Sequence, residues 1–225
     1  MKEVGSKNRD SARREALNNI PSGLDETYVR DLDRLKKVHD DFDIGLRALT
    51  WLLYCNRPLR LSHLATAAVI NPECAFSKDQ RLDEDEKIFD VCRSLIYINL
   101  KTDVVEFSHI SVREFLVSSK LSDGSENPYY RSVAEGNALL MRACFMYLAS
   151  PPLIPIVSHL HIQLESDLLT QLREKFRDPF TFYAVYQWPA HAQLLGPSDL
   201  TPHSVEFLTG DSFPAWRELW ELKDI

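Results

Sequence analysis

Leu95-Ile96-Tyr97-Ile98-Asn99 and Val104-Val105-Glu106-Phe107-Ser108 flank the polar turn Lys101-Thr102-Asp103 and alternate apolar with polar residues, the pattern of a β-hairpin. The surrounding sequence changes period, from two to about 3.6. Just upstream, Asp43 is placed to cap a strongly apolar helix (Ile44, Leu46, Leu49, Trp51, Leu52, Leu53) that Asn56 and Pro58 end. Pro58 to Leu61 reads as a short extended piece. Ser62 then caps a second helix with Leu64, Ala65, Ala68 and Val69 inward, stopped by Asn71-Pro72. A third helix is expected from about Leu82 to Ser94, with Ile88, Phe89, Val91, Cys92 and Leu95 available for burial.

Downstream of the hairpin, Ser111-Val112-Arg113-Glu114 has the form of a capping box opening a helix that carries Phe115, Leu116 and Val117 to about Lys120. Helix, strand, helix, helix, hairpin is the order of a winged helix. On the N-terminal side, Ser22-Gly23-Leu24-Asp25 marks a helix start, with Leu24, Tyr28, Leu32 and Leu35 on one face. Asp25 and Glu26 open that helix and Lys36 and Lys37 close it, matching the macrodipole, and Glu26/Arg30 and Asp33/Lys37 are i,i+4 pairs. Ser11 to Asn19 forms a further candidate helix, stopped by Pro21.

After the break Asp123-Gly124-Ser125, a second capping box, Ser132-Val133-Ala134-Glu135, opens a helix with Ala138, Leu140, Met141, Cys144, Tyr147 and Leu148 apolar, ended by Pro151-Pro152. Leu164, Leu168, Leu172 and Phe176 repeat every four residues. Asp178-Pro179 starts an aromatic helix (Phe180, Phe182, Tyr183, Tyr186, Trp188), and a terminal helix around Phe213 to Leu222 presents Trp216, Leu219 and Trp220. The spacings show no internal repeat. The expected fold class is mainly α (α+β): an N-terminal helical segment (1–42), a winged-helix domain with a small β-hairpin (43–122), and an all-α helical domain (123–225).

The composition bounds what such a chain does. Its 225 residues are 44% hydrophobic and 26% charged, near the globular average, and 12 Pro against 7 Gly suits helices with rigid breaks. The absence of an apolar run of about 18 residues in the sequence argues against a membrane-spanning helix. The charged opening Met1 to Asn19 lacks the apolar core of a signal peptide, so a cytoplasmic location is expected. Cys55, Cys74, Cys92 and Cys144 have no C-x-x-C spacing and read as reduced, mostly buried thiols. The net charge is −7, and nearly all of the negative excess lies beyond residue 122, where thirteen acidic groups face seven basic ones. That balance opposes binding to nucleic acid or anionic membrane.

Several ordered phrases resemble a known family: Asn19-Ile20-Pro21-Ser22-Gly23-Leu24-Asp25-Glu26-Thr27-Tyr28, Leu46-Arg47-Ala48-Leu49-Thr50-Trp51-Leu52-Leu53-Tyr54, Arg57-Pro58-Leu59, and Phe107-Ser108-His109-Ile110-Ser111-Val112-Arg113-Glu114-Phe115-Leu116. They are similar to fungal NACHT proteins of the STAND class, in the winged-helix region after the ATPase core that is labelled by similarity to GPI inositol-deacylase. Phe182-Tyr183-Ala184-Val185-Tyr186-Gln187-Trp188-Pro189-Ala190-His191-Ala192 and Phe213-Pro214-Ala215-Trp216-Arg217 resemble the helical stretch that precedes ankyrin repeats there. The resemblance spans roughly residues 15 to 222. It implies a non-catalytic regulatory arm working through protein contacts with a NACHT ATPase domain, with ankyrin repeats or with itself. The sequence has no G-x-x-x-x-G-K-[ST] loop with which to hold nucleotide, so the resemblance implies a post-ATPase arm beginning at its own Met1, either a fragment or a truncated paralogue.

The resemblance singles out His109, whose place at the end of the hairpin matches a His that reaches bound ADP phosphates in related STAND proteins. An imidazole suits that role because it donates to a phosphate oxygen and gains charge easily. The alternative is a structural His beside the Ser111 cap. A winged-helix nucleic-acid regulator is a rival reading, opposed by Asp83-Glu84-Asp85-Glu86 at the start of the third helix and by a wing with only Lys101 against Asp103. A hydrolase related to GPI inositol deacylase is a third, but no G-x-S-x-G elbow is present and no catalytic residue is named. His159-x-His161 lacks a third metal ligand nearby, and Cys144 on an apolar helical face reads as inert. No cofactor or metal is expected. The aromatic set Phe180, Tyr183, Tyr186, Trp188, Trp216 and Trp220 reads as the core of the helical region, in part exposed where a neighbour would stack.

Overall fold

The computed structural model describes residues 23–36, 39–121, 123–150, 180–199, 202–210 and 212–221. Outside these lie the expected Ser11–Asn19 helix, Lys37, Pro151-Pro152, the Leu164 to Phe176 repeat, Asp178-Pro179 and His159/His161; the Leu219 side chain is likewise outside. The fold is mainly α with one two-stranded hairpin. In chain order it comprises α1 (Leu24–Leu35), α2 (His39–Tyr54), α3 (Leu61–Val69), α4 (Lys87–Cys92), β1 (Ile96–Asn99), β2 (Val104–Phe107), α5 (Ile110–Val117), α6 (Val133–Leu148), α7 (Thr181–Ala192), α8 (Pro202–Thr209) and α9 (Ser212–Glu221).

The hairpin forms where the alternation places it. Ile96 pairs with Phe107 and Asn99 with Val104, and the buried Ile96 and Val105 side chains anchor it while Tyr97 and Glu106 face solvent. Asp103 takes φ 58 in the turn, and its amide and that of Thr102 donate to the Asn99 carbonyl. Asp tolerates this left-handed geometry better than most residues. The extended piece ahead of α3 joins the sheet edge: the Val105 amide donates to the Leu59 carbonyl at 2.9 Å and Arg60 bridges Val104. These contacts reproduce the winged-helix order.

Helix α6 is the axis of the interior. From Gly136 to Leu148 every side chain except Arg142 is buried, so α2, α7 and α8 enclose it on all sides rather than along one stripe. Its start is the capping box expected at Ser132: the hydroxyl accepts from the Glu135 amide at 3.2 Å and the Glu135 carboxylate accepts from the Ser132 amide at 2.8 Å. Trp51 of α2, fully buried, stands edge-on to Phe180 and Tyr183 with ring centroids 5.3 Å apart in both cases, and its indole N–H donates to the Ala67 carbonyl. One hydrophobic cluster runs from Tyr28 on α1 to Phe207 on α8. At about 25 cal/mol per Å² of apolar surface removed from water, aromatic burial of this kind is the main source of stability.

Several expected boundaries are corrected. Asp43 does not cap α2, which starts a turn earlier at His39 because Phe42 packs on Tyr129 at 6.4 Å. Ser62 does not cap α3; Arg60 holds the N-cap position, fixed by its bridge to the hairpin. The third helix is only Lys87–Cys92, and the carboxylate run Asp83–Glu86 lies ahead of it. That stretch instead makes tight turns in which Lys87, Ile88 and Phe89 donate three residues back. Leu24 is 60% exposed, so the face of α1 that packs consists of Tyr28, Leu32 and Leu35. The helix after the hairpin ends at Val117, short of Lys120. Helix α8 has no counterpart among the elements expected from the sequence.

Candidate functional site

The corner between β2 and α5 holds His109. The expected Ser111/Glu114 capping box is not formed; His109 is itself the N-cap of α5. Its backbone is extended, and Nδ1 accepts from the Ser111 amide at 3.1 Å. The Ser111 hydroxyl lies 2.6 Å from the same Nδ1 and 2.6 Å from the Tyr28 hydroxyl of α1. With Nδ1 acting as acceptor the proton sits on Nε2, so the line runs Tyr28 O–H to Ser111 Oγ, Ser111 O–H to His109 Nδ1. A box is expected there because Ser-x-x-Glu is the local signal; the tertiary bond to Tyr28 draws the Ser111 hydroxyl away from capping.

This corner ties three elements together. Tyr28 is buried against Phe115 of α5, with ring centroids 5.3 Å apart, whereas the His109 ring is exposed. Nε2–H therefore has no partner among the described residues and is available to an acceptor outside the fold. A groove of about 570 Å³ lies elsewhere on α1, between that helix and the turn at Leu121 and Asp123; Asp25, Glu26, Asp33, Arg30 and Arg34 line it.

A second histidine, not singled out from the sequence as a site, organises the interior. His191 of α7 is fully buried. Its Nδ1–H donates to Asn137 Oδ1 of α6 at 2.7 Å, and Nε2 accepts from the Tyr183 hydroxyl at 2.9 Å. Asn137 in turn donates to the Val133 carbonyl, and the Tyr183 oxygen accepts from the Asn56 amide at the end of α2. Burial lowers the His191 pKa from 6.5 to about 4, so the ring is neutral. The signal that could have found this network is Asn137, a lone amide in the apolar run of α6, which needs a polar partner once buried.

The remaining candidates sit apart. The four carboxylates Asp83 to Glu86 precede α4 in a turn, where Lys87 pairs with Asp83 at 2.6 Å. Such a surface repels a phosphate backbone. All four cysteines are free; Cys92 and Cys144 are buried, Cys55 is half-buried and Cys74 is exposed. Burial pushes the Cys144 thiol well above its ordinary value and Cys92 to about 12, so both are inert at neutral pH. Among the described residues no cluster of three or more His, Cys, Asp or Glu side chains is arranged to hold a metal, and no helix is long and apolar enough to cross a membrane.

Comparison with family models, with curated proteins and with solved structures found no match to this chain.

Proposed function

We propose that this chain is a non-catalytic winged-helix and helical regulatory module of a NACHT/STAND-type signalling protein, cytoplasmic, acting through contacts with an ATPase domain or another protein. One observation carries the reading: the Tyr28–Ser111–His109 line joins the N-terminal helix, the hairpin and α5, and ends in an exposed ring with Nε2–H unengaged. A docked partner that offers an acceptor to Nε2 pulls on α1 and the hairpin together. Such a corner suits a part that transmits movement, because an external bond and an internal packing contact share one chain of hydrogen bonds.

The test uses the full chain. Isothermal titration should detect no stoichiometric uptake of ATP or ADP by the chain alone. A NACHT ATPase domain supplied separately should be retained on the immobilised chain, and His109→Ala should weaken that retention roughly tenfold, the scale of one lost hydrogen bond to a charged acceptor. Tight nucleotide uptake by the chain itself, or turnover abolished by a single substitution, would overturn the reading. So would equal retention of the ATPase domain by the wild-type and His109→Ala chains.

A further inference from the structure

Three arginines meet at the carbonyl end of α2, whose own last turn carries no basic residue. Arg113 of α5 and Arg131, just ahead of the Ser132 cap, lie close enough to the Tyr54 hydroxyl to oppose the rise that burial imposes on its pKa, and that hydroxyl donates to the Arg131 carbonyl at 2.6 Å. One residue on, burial pushes the Cys55 thiol up to about 11; Arg113 opposes that rise too, and the Arg57 backbone amide bonds the same sulfur. Leu116 of α5, Tyr130 and Arg131 line one small cavity, so the two stretches adjoin.

These charges are not matched within the fold. None of the three guanidiniums has an ion pair or hydrogen bond among the described residues. Glu135, which feels Arg131 electrostatically, is spent on the Ser132 amide and hydroxyl. Glu114 turns away from Arg113 round the helix, because neighbours i and i+1 do not face each other. The dipole of α2 adds only about half a negative charge at this end. A chain of net charge −7 thus keeps an uncompensated positive surface here.

Apolar side chains lie among the arginines. Ile110 and Val117 of α5 stand three residues before and four after Arg113 and are 59% and 45% exposed, and Tyr130 is 37% exposed. Exposed aliphatic and aromatic groups beside arginines match the make-up of a protein interface, in which Tyr and Arg are enriched, better than a surface built for phosphates alone. His109 is four residues before Arg113, so this face runs on into the hairpin corner.

We propose that this face receives an acidic segment of a partner protein, its carboxylates pairing with Arg57, Arg113 and Arg131 and its apolar side chains resting on Ile110, Val117 and Tyr130. The proposal names the chemistry of the partner and rests on the docking role of the His109 corner. Guanidiniums hold carboxylates through paired, charge-assisted hydrogen bonds, and a carboxylate also suits the Nε2–H of His109 at the edge of the face.

A fluorescein-labelled peptide of Glu-Glu-Leu repeats, titrated into the full chain and followed by anisotropy, tests it. The peptide should bind, and its Gln-for-Glu counterpart should bind roughly tenfold more weakly. Arg113→Gln and Arg131→Gln should each weaken the Glu peptide roughly threefold, the scale of one exposed ion pair, and the double variant roughly tenfold. Arg217→Gln on α9 makes the same charge change elsewhere and should have no effect, with all variants folded by circular dichroism. The proposal fails if the wild-type chain does not bind the Glu peptide, if the folded double variant binds it as the wild type does, if Arg217→Gln weakens it as much, or if the Gln peptide or a DNA duplex binds equally well. Retention of the ATPase domain separates this proposal from the docking reading. Weakening by His109→Ala but not by the double arginine variant sinks this proposal alone; equal retention by the wild-type and His109→Ala chains, with peptide binding still dependent on the arginines, sinks the docking reading.

Discussion

His191 and His109 are the same side chain in opposite settings. At the junction of α2, α6 and α7, His191 is sealed from water, uses both ring nitrogens within the fold, and is kept neutral by burial. At the hairpin corner, His109 is exposed and spends one nitrogen on the start of α5. Burial assigns the first to architecture, because a buried polar group must satisfy every valence internally. Exposure leaves the second with a donor to offer, which is why the functional proposal rests there. The contrast also separates what damages the fold from what damages an interaction.

The largest effect is expected in the interior. His191→Leu leaves the Asn137 carbonyl oxygen and the Tyr183 hydroxyl buried without their partner, a loss of about 3 kcal/mol at pH 7 measured by urea unfolding. The wild-type protein should carry a matching pH dependence. The folded pKa of about 4 lies below the ordinary 6.5, so the unfolded chain binds more protons between these values. The stabilisation is complete above pH 6.5 and is lost as pH falls through about 4, again by about 3 kcal/mol, so the curves of the wild-type and His191→Leu chains converge there. Parallel curves for the two chains would show that His191 is not the group responsible.

A smaller effect marks the edge of the same interior. Gly136 of α6 lies against Tyr54, and a Cβ there would sit 2.2 Å from a ring carbon. The ring cannot swing away without breaking the bond from its hydroxyl to the Arg131 carbonyl at 2.6 Å. Gly136→Ala should therefore cost about 2 kcal/mol by overpacking, although Ala favours a helix more than Gly. Adding Tyr54→Leu should recover part of that loss; a strictly additive double variant would mean the clash is not what matters.

Legibility from sequence follows the range of the forces involved. The hairpin is readable because alternation and a polar turn are local, and the Ser132 capping box because it is complete within four residues. Three of the misplaced helix starts share one reason: Phe42 packing on Tyr129, Arg60 bridging Val104 and Ser111 bonding Tyr28 are all contacts between residues far apart in the chain. Short α8, which buries only Ser204 and Phe207 among its described side chains, has too little apolar pattern to read. His109 is legible as a position, through resemblance, but its capping role is not. His191 lies in plain view in an aromatic stretch, and nothing local distinguishes a buried histidine from a surface one.

The smallest effect tests the exposed half of the comparison. His109→Ala removes the acceptor for the Ser111 amide and should cost about 1 kcal/mol, the usual loss of an N-cap, while His109→Asn should restore most of it because an Asn side chain also accepts from the first turn. The two variants separate capping from contact. An Asn side chain in this place offers no imidazole N–H at the position of Nε2, so both variants should hold the proposed partner roughly tenfold more weakly even though only the alanine variant loses stability. If the His109→Asn chain keeps the partner as well as the cap, the ring matters only for holding α5 and the docking role proposed for His109 fails.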